Sequence, residues 1–80
     1  MLTTDQRAAL DLVASAPIYV RPDRTVRRLG SLAAPLPPAT QRAVCELWHV
    51  GLVAAPGWSG QPDTLGRLQV TERGRLEINA

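Results

Sequence analysis

Apolar residues in the first part of the chain recur at helical spacing. Ala9, Leu10, Val13 and Ala14 form one stripe. Ahead of them Thr3 and Gln6 stand three apart, as an N-cap and its reciprocal partner do in a capping box, with Asp5 complementing the helix's positive end. Pro17 ends this helix, because the residue before a proline avoids helical backbone angles. Ile18, Tyr19 and Val20 follow as a short β-prone stretch that needs a later hairpin for a partner. A second helix is predicted over residues 24–33, capped by Asp23 or Thr25, with Val26, Leu29 and Leu32 or Ala33 turned inward. Three prolines within residues 34–38 then impose a stiff turn.

Pro38 opens a third helix that runs to about Val50. Thr40, Ala43, Val44, Leu47 and Gly51 fall on one side of it. Arg42, Cys45 and His49 lie opposite, flanked by Gln41 and Glu46, with Trp48 at the border. Gly51 is placed to end the helix in the left-handed conformation. Residues 52–55 read as a strand and residues 56–64 as a loop rich in turn formers. Residues 67–71 alternate as a second strand, with Leu68 and Val70 on one face. The two strands make a long-looped hairpin.

At 80 residues this is one domain with a small core, and without phenylalanine that core is built from Leu, Val and Ala. One cysteine, Cys45, excludes an intrachain disulfide. Cys45 and His49 are spaced as neighbours on a helix, but one Cys and one His are too few for a structural zinc site. No metal or cofactor is expected, and no catalytic triad, carboxylate pair or glycine-rich phosphate loop can be traced. No apolar run approaches the roughly 18 residues of a membrane span, and the first residues lack a signal-peptide layout. A cytoplasmic protein that is not an enzyme is expected.

The net charge is +2, and all nine basic residues are arginine. Their placement says more than their number. Arg21, Arg24, Arg27, Arg28 and Arg42 against Asp23 and Glu46 leave residues 21–50 at +3, while residues 51–80 are neutral. On the outer face of the third helix, Gln41 suits adenine and Arg42 suits guanine through paired hydrogen bonds. The bland alternative is a solvated helix face. Likewise the arginines at 21, 24, 27 and 28 are either phosphate clamps or a basic surface without a partner. Trp58 in the long loop is either an exposed anchor or a side chain folded back onto Trp48 and the core.

Two stretches carry a family resemblance. Residues 37–53 resemble the recognition helix of winged helix-turn-helix proteins of the MarR and PadR types, followed by a Gly-Leu-Val step at Gly51, Leu52 and Val53. Leu68, Val70, Thr71 and Gly74 resemble the ending of the wing's second strand. The resemblance implies an α+β winged-helix domain over residues 1–80, with three helices and a C-terminal β-hairpin wing. The helix-turn-helix would span about 24–50 and the wing about 52–71. It implies a sequence-specific binder of double-stranded DNA, a small bacterial or phage transcriptional regulator. Gln41, Arg42 and His49 would approach bases past the small Ala39, while Arg24, Arg27 and Arg28 held phosphates and Arg67 served the wing. A homodimer through Leu12, Leu76 and Ile78 would suit a palindromic site. The alternative is a winged-helix module that binds a protein partner through Trp58.

Overall fold

The chain starts as its capping pattern dictates. The Gln6 N–H donates to Thr3 Oγ1 at 3.1 Å and the Thr3 N–H to Gln6 Oε1 at 3.0 Å, opening helix α1, Thr4–Ser15. In a computed structural model, residues 2–28 and 36–79 are described. Ala9, Leu10 and Val13 on α1 are buried, and Ala16 leaves the helix in extended conformation just before Pro17.

Strand β1, Ile18–Val20, is the centre of a three-stranded antiparallel sheet. One neighbour is β2, Val26–Arg28. This corrects the helix predicted over residues 24–33: its first part is a strand, and residues 29–33, with Leu29, Leu32 and Ala33, lie outside the described residues. A side-chain turn leads into the strand. Asp23, read as a helix cap, instead closes a turn. Its carboxylate accepts from the Thr25 N–H at 3.0 Å and the Thr25 hydroxyl at 2.6 Å. The Arg21 N–H then donates to the Thr25 carbonyl at 2.9 Å, which registers the two strands.

Helix α2, Pro38–His49, opens on its proline and buries Ala43, Val44 and Leu47 against α1. It closes with a Schellman motif. The Leu52 N–H bonds the Leu47 carbonyl and the Gly51 N–H bonds that of Trp48, with Gly51 at φ 82°. Leu52 and Val53 enter the core, and β3, Val53–Ala54, begins. The predicted hairpin partner arrives in two pieces. Strand β4, Gly66–Arg67, pairs with β1, and β5, Gln69–Val70, pairs with β3. Buried Leu68 joins them and donates its N–H to the Ile18 carbonyl at 3.0 Å.

A helix that the sequence pattern did not predict follows, α3, Glu72–Ile78. Thr71 makes it: its Oγ1 accepts from the Gly74 N–H at 3.1 Å and donates to the Gly51 carbonyl at 2.7 Å. Among the described residues the domain is therefore α+β, with three helices and two small antiparallel sheets, the third helix lying at 72–78 and residues 26–28 forming a strand. No helix among them is long and apolar enough to cross a membrane.

Candidate nucleic-acid interface

Four arginines occupy one hairpin. Arg21 and Arg24 lie in the turn, and Arg27 and Arg28 on β2. All but half-buried Arg27 are exposed. The turn is held by Asp23, whose carboxyl sits below its ordinary value of 3.8 chiefly because the Thr25 hydroxyl and N–H both donate to it. Arg21 and Arg27 add a smaller electrostatic pull in the same direction. A lowered folded value means that Asp23 contributes fully above 3.8 and loses its contribution as pH falls through the folded value. The melting-temperature gap between the wild type and Asp23→Ala is therefore expected to be open at neutral pH and to close as pH falls below 3.8. Thermal melts across that range check this; a gap independent of pH contradicts it.

Arg24 sits at φ 72°, in the left-handed region where a side chain is strained and glycine is not. It borders a shallow cleft of about 370 Å³ whose other walls include Cys45, Trp48 and His49 of α2. The hairpin tip thus meets α2 beside Cys45, Trp48 and His49. Ala39, Arg42, Cys45, Glu46 and His49 are all exposed on α2.

Gln41 lines the same cleft, but its polar atoms are committed to the backbone. Its amide is half-buried and faces the sheet. The Val26 N–H donates to Gln41 Oε1 at 2.7 Å, and Gln41 Nε2 donates to the carbonyls of Val26 at 2.8 Å and Leu36 at 3.2 Å. The antiparallel register explains why. Arg21 and Thr25 form a hydrogen-bonded pair, so Val20 and Val26, one step on, do not. Both polar groups of Val26 therefore point off the sheet edge, and the Gln41 amide meets them as another strand would. The expectation that Gln41 reads adenine gives way to this role as the bolt between α2 and the hairpin.

Trp58 is also accounted for internally. Its indole N–H donates to Thr64 Oγ1 at 2.9 Å, and its ring lies 6.2 Å from that of Trp48. Gly66 provides the floor: a Cβ there would lie 2.6 Å from Trp58 Cδ2. The fold-back reading, and not the exposed anchor, describes this side chain. Arg67 is exposed on β4, directly across from Tyr19 and away from the helix face. Leu12 and Ile78, taken as dimer contacts, are partly buried against the core, while Leu76 is exposed. Among the described residues no cluster of three His, Cys, Asp or Glu side chains is placed to hold a metal.

No family model, curated protein or solved structure matches this chain. The functional reading therefore stands on the residues.

Proposed function

We propose that this is a DNA-binding domain of winged-helix type that grips the phosphates of duplex DNA with its arginine hairpin and presents α2 to the major groove. The observation that carries the reading is Arg24. A bulky cation occupies a turn position that glycine fills without strain, and it stands beside the exposed side of a helix. Arg21 and Arg28 extend the same positive surface along the hairpin. Arg42 and His49 are the side chains left to approach base edges, with small Ala39 permitting close approach. The layout departs from the expected helix-turn-helix in that a strand, Val26–Arg28, stands where the start of its first helix was placed. Phosphate contacts consequently come from a hairpin.

Arg24→Gly separates binding from folding. It removes the charge and relieves the left-handed strain, so the variant is expected to melt at or above the wild-type temperature. Its affinity for duplex DNA should fall about fivefold, with the log–log salt slope shallower by about 0.9. Fluorescence anisotropy over a salt series measures both. Unchanged affinity and slope would remove Arg24 from the interface. A wild type that binds no duplex at low salt would overturn the reading and leave a protein partner as the occupant of this surface.

A further inference from the structure

The outward face of the β2-β1-β4 sheet carries a second arrangement, centred on Tyr19 and Arg67, which the duplex reading does not use, and it shares Arg27 with the arginine hairpin. The register sets Arg27, Tyr19 and Arg67 directly across from one another on three adjacent strands. Residues directly opposite share a face. Ile18 and Val20, the neighbours of Tyr19 along β1, are buried, so the row containing Tyr19 turns outward. Arg67 is exposed and Tyr19 is only half-buried. A groove of about 630 Å³ opens over Tyr19, with Arg21, Arg27 and Arg28 along it and Asp23 and Asp63 among its other lining residues. With strands about 4.8 Å apart, the two flanking arginines rise from backbones roughly 10 Å apart with one aromatic ring between them.

An aromatic face between two cations on an open sheet matches the chemistry of an unpaired nucleotide. The base has a π-face to stack on the ring, and the phosphates on either side of it are anions for the arginines. Duplex DNA cannot use the ring, because its bases are already stacked inside the helix. We propose that this sheet face binds single-stranded nucleic acid, with one base stacked on Tyr19 and the adjoining phosphates held by Arg27 and Arg67. The site lies apart from the exposed side of α2 and does not depend on the duplex reading.

The test uses a fluorescein-labelled oligothymidylate of about 12 nucleotides and a labelled duplex of the same length. Each is titrated against the wild type, Tyr19→Ala, Tyr19→Leu and Tyr19→Phe at low salt. Tyr19→Ala and Tyr19→Leu are expected to lose about tenfold in affinity for the single strand, and Tyr19→Phe to stay within about twofold of the wild type. Duplex affinity should stay within about twofold in all three. Should Tyr19→Ala fail to fold, as circular dichroism would reveal, Tyr19→Leu decides, since it keeps the bulk and loses the π-face. Wild-type affinity for the single strand in a folded Tyr19→Leu would overturn the proposal. So would an absence of single-strand binding by the wild type, whatever the duplex does.

Discussion

Gln41→Leu is expected to lower stability by about 2–4 kcal/mol. The substitution keeps most of the bulk and removes every hydrogen bond the amide makes. The Val26 N–H and the Leu36 carbonyl then lose the amide as partner, while the Val26 carbonyl keeps only the Leu36 N–H at 3.1 Å, at a half-buried place between helix and sheet edge. Gln41→Glu discriminates between bulk and hydrogen bonding. A carboxylate still accepts from the Val26 N–H, but it sets an anion against two carbonyl oxygens that had received donors. That arrangement favours the protonated acid, which restores one donor. Gln41→Glu should therefore be least stable at neutral pH and regain stability toward about pH 4, opposite in sign to the Asp23 contribution. Denaturant melts at several pH values check both variants. If Gln41→Leu melts like the wild type, the amide is not the bolt described.

Gly74→Ala should cost about 2–3 kcal/mol, a fall in melting temperature of roughly 10–20 °C for a domain of this size. Glycine within a helix ordinarily gains up to about 1 kcal/mol on becoming alanine, so the sign itself is informative. Here the added Cβ meets the Leu52 carbonyl and, at 2.7 Å, Val70 Cγ1. The carbonyl has no freedom to yield, since it also accepts from the Thr71 N–H at 3.0 Å. The first turn of α3 is thus seated on the backbone of the turn that closes α2. Thr71 and Arg73 complete the seat through the carbonyls of Gly51 and Val50. A variant that melts higher than the wild type would show that α3 does not pack there.

Elements held by local chemistry were legible in the sequence. The capping box of Thr3 and Gln6, the proline entry of α2 and its glycine exit at Gly51 each depend on residues within a few positions of one another. The stripe of Ala43, Val44 and Leu47 likewise follows from helical periodicity. The misread segment was decided by partners distant in sequence. Asp23 and Thr25 suit a helix cap and a turn equally well. What selects the turn is the pairing of Val26–Arg28 with β1, together with an amide fifteen positions away on α2. For the same reason Gln41 looked like a surface residue: a long polar side chain on a helix border gives no sign that a strand edge lies beneath it. Helix α3 did carry a local signal, Thr71 as cap and Glu72 in the first turn, but Gly74 reads as a terminator unless its contact with Leu52 is known. The cross-strand row of Arg27, Tyr19 and Arg67 is invisible without register, because its members lie on three separate strands.

The central claim is that the arginine hairpin and the exposed side of α2 together receive duplex DNA. Amide and indole chemical shifts followed by NMR during titration with duplex test it most directly. Trp48 lines the cleft beside Arg24, whereas the Trp58 indole is tied to Thr64. Perturbations are expected over Arg21–Arg28, along Ala39, Arg42, Cys45 and His49, and at the Trp48 indole, with Trp58 and α3 unmoved. Perturbations centred on α1 and α3, or none at low salt, would contradict the account.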